Sequence, residues 1–105
     1  MKTLTNEILT KAAKVVEDNV NELHKNDDKH DYKSSVNAKV KNPDAIRYID
    51  VELKEERVVC GCTRNDTIII VFTKDGYALS VEGSFSLLHL KWFIEEVEKE
   101  VKEWR

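Results

Sequence analysis

The sequence predicts an α+β domain, an antiparallel sheet of about four strands with an N-terminal and a C-terminal helix packed on one face. Three observations lead there: apolar residues recur every three or four positions near both ends of the chain, they alternate in twos through its middle, and Asp75-Gly76 separates two of the alternating runs. A length of 105 residues suits one domain over 1–105, divided as helix 5–24, polar loop 25–35, sheet region 36–83 and helix 86–104.

The first helix rests on Leu9, Ala12, Ala13, Val16, Val20 and Leu23, which are spaced to share one face. Thr5 is placed to cap it, Glu7 suits the positive end of its dipole, and Leu4 can meet Leu9 across the cap. Large apolar residues are nearly absent from 25–35, Tyr32 excepted, which reads as a solvated loop. Val36, Ala38 and Val40 then alternate with Asn37, Lys39 and Lys41 as in a short edge strand whose lysines discourage further pairing. Asn42-Pro43-Asp44 marks a turn or a brief helical start, Pro being preset for a first helical position.

Residues 46–53 fit two patterns, since Ile49, Val51 and Leu53 alternate while Ile46, Ile49 and Leu53 also share a helical face; the strand is taken here. Strands follow at 57–63, 67–73 and 77–82, separated by Arg64-Asn65-Asp66 and Lys74-Asp75-Gly76. Asp75-Gly76 tolerates the positive φ of a two-residue type I′ turn, which sets Phe72 opposite Leu79 and Ile70 opposite Val81, with Ile68, Ile70, Phe72, Leu79 and Val81 toward the core. Ile69 and Val71 make 67–73 a central strand with cover on its second face. The last helix carries Leu87, Leu90, Ile94, Val97, Val101 and Trp104 at alternating three- and four-residue steps, Ser86 placed as its cap and Phe85 as a staple onto Leu90. That stripe either packs within the chain or serves a homodimer.

Composition narrows function. Hydrophobic residues at 41%, with only three Gly and one Pro, support a packed core rather than a disordered chain. A net charge of -3 argues against direct binding of nucleic acid or of an anionic membrane, both of which reward a basic surface. The longest uninterrupted apolar run is Ile68 to Phe72, so neither a secretory leader nor a membrane span is expected, and a cytoplasmic chain with reduced Cys60 and Cys62 follows. The two thiols flank Gly61 in a strand, where they are expected to be small, half-buried and inert.

No phosphate-cradling glycine motif or nucleophile elbow occurs, and no Ser, Cys or Lys has an identifiable base beside it, so no catalytic residue and no cofactor is predicted. Cys60 and Cys62 with scattered His24, His30 and His89 lack zinc spacing. Asp27, Asp28, His30 and Asp31 lack the glycine and terminal glutamate of a calcium loop, so no metal is predicted either. The candidate site is instead a binding surface. Trp92 lies opposite the apolar stripe with Leu88 one turn before it and Glu95, Glu96 and Lys99 around it, an aromatic anchor with a polar rim unless the helix is sandwiched between layers and Trp92 is core. Acidic residues also gather at Asp44, Asp50, Glu52, Glu55 and Glu56, and along the last helix, where lysines interleave with them.

The hairpin Thr67-Ile68-Ile69-Ile70-Val71-Phe72-Thr73-Lys74-Asp75-Gly76-Tyr77, preceded by an amphipathic helix and followed by a Ser-initiated helix with Trp92 and Phe93, resembles in layout the small phage-encoded anti-CRISPR proteins that block an effector nuclease. The resemblance covers residues 67–92 and carries no functional residue across. It implies a cytosolic inhibitor, non-enzymatic, that occludes a larger host defence protein such as a nucleic-acid-binding effector. Two other classes fit the residues: an oligomeric small-molecule sequestering protein in which Arg47, Arg57 or Arg64 holds the phosphates of a nucleotide, and an immunity protein that plugs a toxin's basic active site.

Overall fold

The computed structural model describes residues 5–25, 32–42, 44, 48–73, 76–82 and 85–100, with backbone alone for 76–82 and for Glu100. In chain order these form α1 (Asn6–His24), β1 (Tyr32–Val40), β2 (Tyr48–Val59), β3 (Cys62–Thr73), β4 (Gly76–Glu82) and α2 (Leu87–Glu100). The strands follow one another across the sheet in the order β1-β2-β3-β4, each antiparallel to the next. The class is α+β, and both helices share one core with one face of the sheet.

α1 begins where the Thr5 hydroxyl accepts the Ile8 N–H at 3.3 Å, as its N-cap role requires. Leu9, Ala12, Ala13, Val16 and Val20 are buried as expected, but Leu23 is not. One turn beyond Val20 on the buried face stands His24, whose ring stacks on Tyr32 with centroids 3.8 Å apart, and Leu23 is turned away to solvent. Leu4, the expected staple, lies outside the described residues.

α1 also closes the edge of the sheet. β1 is an edge strand, and its outward N–H groups would offer a template for another chain. Side chains of α1 occupy them: Val40 N–H donates to Asn6 Oδ1 at 3.1 Å, Val36 N–H to Glu17 Oε1 at 2.9 Å and Ser34 N–H to Asn21 Oδ1 at 2.8 Å. Asn21 Nδ2 returns a hydrogen bond to the Ser34 carbonyl at 3.0 Å. Because Asn6 meets Val40 and Asn21 meets Ser34, α1 runs antiparallel to β1. The edge is thus blunted mainly by the helix rather than by the lysines. The strand also starts earlier than expected, at Tyr32, because the polar start of β1 finds partners in α1 and β2; residues 26–31 of the expected loop lie outside the described residues.

The largest correction concerns residues 46–66. Residues 48–53 are strand, as taken, but β2 does not end there: it runs unbroken through Lys54, Glu55, Glu56 and Arg57 to Val59. Arg64-Asn65-Asp66 is likewise strand rather than turn. The turn lies at Cys60-Gly61, with φ of 51° and 81°, the pair of positive angles that a type I′ hairpin turn needs. Both cysteines are exposed at this turn, not half-buried in a strand, and Gly61 supplies the second positive φ.

β3 pairs β4 with Thr73 opposite Gly76, Phe72 opposite Tyr77 and Ile70 opposite Leu79. The connection is therefore Lys74-Asp75, which lies outside the described residues, and the register differs by two from that expected of Asp75-Gly76. A slip of two preserves the parity of the pairing, so the apolar alternation could not separate the two registers; the side chains of Leu79 and Val81, expected toward the core, lie outside the described residues. Ile68, Ile70 and Phe72 are fully buried and Ile69 and Val71 half-buried.

In α2, Ser86 caps as expected, its Oγ accepting the His89 N–H at 3.4 Å, and both members of the expected staple, Phe85 and Leu90, are buried. The buried face is His89, Leu90, Phe93, Ile94 and Val97. Leu90, Ile94 and Val97 of the expected stripe are thus core residues, whereas Leu87 is 75% exposed and Val101 and Trp104 lie outside the described residues. Buried Phe93 and His89, one turn apart, shift the buried face away from Leu87.

Candidate functional site

Three places in the fold carry chemistry. The first is where the apolar core ends. Along the helix-facing side of β2 the residues are Ile49, Val51, Leu53, then Glu55 and Arg57; along β3, in register, they are Phe72, Ile70, Ile68, then Asp66 and Arg64. The core gives way there to a buried polar layer. Glu55, 1% exposed, accepts the Ser34 hydroxyl at 3.0 Å and meets His89 Nδ1 at 2.9 Å, tying α2 and β1 to β2. Arg57 pairs with Asp66 through Nη2, and its Nε stands 3.6 Å from Glu55. Burial alone would push the Glu55 carboxyl up; the hydrogen bond and charge of His89, the Ser34 hydroxyl and the Arg57 guanidinium outweigh it and hold the carboxyl below its ordinary range.

This layer has the residue types of a hydrolytic triad but not its order. The carboxylate is in the middle, with the Ser34 hydroxyl and the His89 imidazole both turned toward it, so the imidazole is not placed to take the hydroxyl proton. Ser34 is also fully buried, out of reach of a substrate carbonyl. What the layer does is fasten the first turn of α2 to the sheet. Sequence reasoning missed it, and a signal existed: continuing the parity of Ile49, Val51 and Leu53 leads to Glu55 and Arg57 on the same face.

The second place lies beyond this layer. The first turn of α2 meets β2 at Glu55 through His89, and β2 and β3 continue past that point to the Cys60-Gly61 turn, so the β2–β3 hairpin overhangs there. On its overhang Tyr32, Arg57, Val59, Cys62, Thr63 and Arg64 line a cavity of about 270 Å³. Arg57 and Arg64 stand directly opposite each other in register, so two of the three arginines singled out in the sequence come together; Arg47 lies outside the described residues. The Tyr32 phenol is pushed up by burial and by the Glu55 charge, with Arg57 acting in the opposite sense.

The third place is the outer side of α2. Leu88 is 48% exposed, next to exposed Leu87, and one turn on Trp92 is half-buried, packed against the core and stacked on His89 with centroids 5.7 Å apart. Trp92 is therefore neither a free anchor nor a core residue; its ring covers the buried histidine and keeps part of its surface toward solvent. Glu95, Glu96 and Lys99 continue the same stripe. Lys99 Nζ reaches Glu96 at 2.9 Å, and that bond raises the lysine's pKa, while Glu95 lies 3.9 Å from Lys91.

The acidic segment of β2 does not form one patch. Glu55 faces the helices, while Glu52 lies on the open face of the sheet, ringed by Lys41 at 3.2 Å, Lys54 at 3.3 Å and Lys39 at 3.8 Å. Burial pushes the Glu52 carboxyl up, but the hydrogen bonds and charges of Lys41 and Lys54 hold it below its ordinary range. No group of three or more His, Cys, Asp or Glu among the described residues is arranged to hold a metal ion, and Asp27, Asp28, His30 and Asp31 lie outside them. Among the described residues no helix is long and apolar enough to cross a membrane. No protein-family profile matches the sequence, and comparison with curated proteins and with solved structures finds no match.

Proposed function

We propose that this chain is a non-enzymatic binding protein that caps a larger partner with the first turns of α2. The observation that carries the reading is the exposed pair Leu87 and Leu88 beside half-buried Trp92. Apolar side chains on an outer helix face cost solubility and contribute nothing to the core, whereas an aromatic ring held rigid by packing and ringed by charge is the anatomy of an interface anchor. The fastening of α2 by Glu55 and His89 supports the reading, because a pre-organised surface loses less entropy on binding.

The finer reading is a cytoplasmic inhibitor, encoded by a phage or another mobile element, that occludes a CRISPR effector nuclease. It rests on the layout of amphipathic helix, antiparallel hairpin and Ser-initiated helix with Trp92 and Phe93. The test is a DNA-cleavage assay with a purified effector ribonucleoprotein and increasing amounts of the protein. Inhibition that is lost in the double variant Leu87→Ser with Leu88→Ser, at an unchanged melting temperature, supports the reading. Absence of inhibition, or inhibition that survives the double substitution, overturns it.

A further inference from the structure

The cavity on the hairpin overhang has a composition that neither the core nor the α2 surface explains. Like charges directly opposite one another on adjacent strands repel, yet Arg57 and Arg64 occupy such a pair. Asp66, 4% exposed, lies beneath both, paired with Arg57 and 3.8 Å from Arg64 Nε. Glu55 is already engaged by Ser34 and His89. Among the described residues Arg57 Nε is the buried side-chain donor without a hydrogen-bond partner, Glu55 at 3.6 Å being too far to accept from it. That donor is turned toward Glu55; the part of the guanidinium that borders the cavity belongs to the 21% of the Arg57 side chain that stays exposed.

We propose that this cavity binds the phosphate group of a small phosphate monoester, with Arg57 and Arg64 as its two guanidinium ligands. A planar carboxylate satisfies one guanidinium fork, whereas a tetrahedral phosphate presents three terminal oxygens and can accept from two forks that converge on it. The remaining wall suits such a ligand. Thr63 and the Tyr32 hydroxyl, which stays protonated at neutral pH, supply neutral donors, and Val59 with the Tyr32 ring supplies an apolar side. A volume of about 270 Å³ is at the small end for ligand pockets and admits a phosphate with a compact organic body.

The site stands apart from the α2 surface, so its test is independent of the proposed inhibitor role. Calorimetric titration of the full chain with inorganic phosphate, a nucleoside monophosphate and the parent nucleoside separates phosphate recognition from recognition of the base. Binding of both phosphates without binding of the nucleoside is the expected result. Arg64→Ala, a change at an exposed position that leaves the Arg57–Asp66 pair in place, then weakens both phosphates about tenfold, the loss of one charge-assisted contact. No heat with either phosphate at millimolar concentration overturns the proposal. So does an affinity unchanged in Arg64→Ala, or a nucleoside that binds as tightly as its monophosphate.

Discussion

Replacing Glu55 with glutamine tests whether the buried polar layer holds the fold together. The carboxylate accepts from Ser34 Oγ and pairs with His89 Nδ1, and the Arg57 guanidinium lies against it. Glutamine keeps the volume, offers one carbonyl oxygen in place of two, and removes the negative charge. A hydrogen bond to a charged group contributes about 1.5–3 kcal/mol, and removing one partner of a buried charged pair costs about 3–5 kcal/mol. One of the two contacts survives on the carbonyl, so the loss expected for Glu55→Gln is about 2–3 kcal/mol. For Glu55→Ala, which strands both partners, it is about 3–5 kcal/mol.

Urea unfolding at neutral pH measures both variants. The same titration repeated at lower pH adds a second constraint. Because the folded-state pKa of Glu55 lies below the unfolded value, its contribution is present above the ordinary glutamate range and is lost as pH falls through the folded value. Wild-type stability should therefore drop faster than that of Glu55→Gln on acidification through that range, and the two curves should approach each other. A neutral-pH loss under about 0.5 kcal/mol, or parallel curves in acid, would refute the view that this layer fastens α2 to the sheet.

Three further outcomes follow from the geometry. Cys60→Asn, at φ 51° in the type I′ turn, should stabilise by about 0.5–1 kcal/mol in thermal unfolding, while Gly61→Ala at φ 81° should cost about 1–2 kcal/mol although an added Cβ meets nothing within 4 Å. Asn21→Ala removes both hydrogen bonds to Ser34 at the sheet edge; a loss of about 1–2 kcal/mol should come with concentration-dependent self-association in light scattering, since the freed edge can pair with another chain. Trp92→Ala should lower stability by about 1–3 kcal/mol through lost packing on His89 and the core, while Leu88→Ser stays within about 0.5 kcal/mol; equal effects would mean that the two side chains are not divided between core and surface in this way.

The helices were the most legible part of the sequence, because period and capping residues agree there. Thr5 and Ser86 cap where expected, and the buried face of α1 up to Val20 is the one its spacing predicts. Leu23 and Leu87 mislead for a shared reason: each is a leucine near a helix end, where the spacing of apolar residues outlasts the surface that the helix covers. The middle of the chain was harder. Lys54-Glu55-Glu56-Arg57 and Arg64-Asn65-Asp66 read as breaks because charged and turn-forming residues rarely continue a strand. Here Glu55, Arg57 and Asp66 neutralise one another across strands, and that pairing is visible only once the register is known. The turn between them went unseen because cysteine is an uncommon residue at positive φ. On the outer side of α2, the sequence placed Leu88 and Trp92 on one stripe, but the half-burial of Trp92 depends on His89, whose place in the core follows from Glu55.

The claim that the first turns of α2 meet the partner is tested most directly by amide hydrogen exchange on the protein alone and on the protein mixed with an effector nuclease. New protection concentrated at residues 86–92, with the exchange of β1 and β2 unchanged, is the result expected. Protection confined to the open face of the sheet or to the β2–β3 hairpin, or no change anywhere at saturating effector, would contradict it.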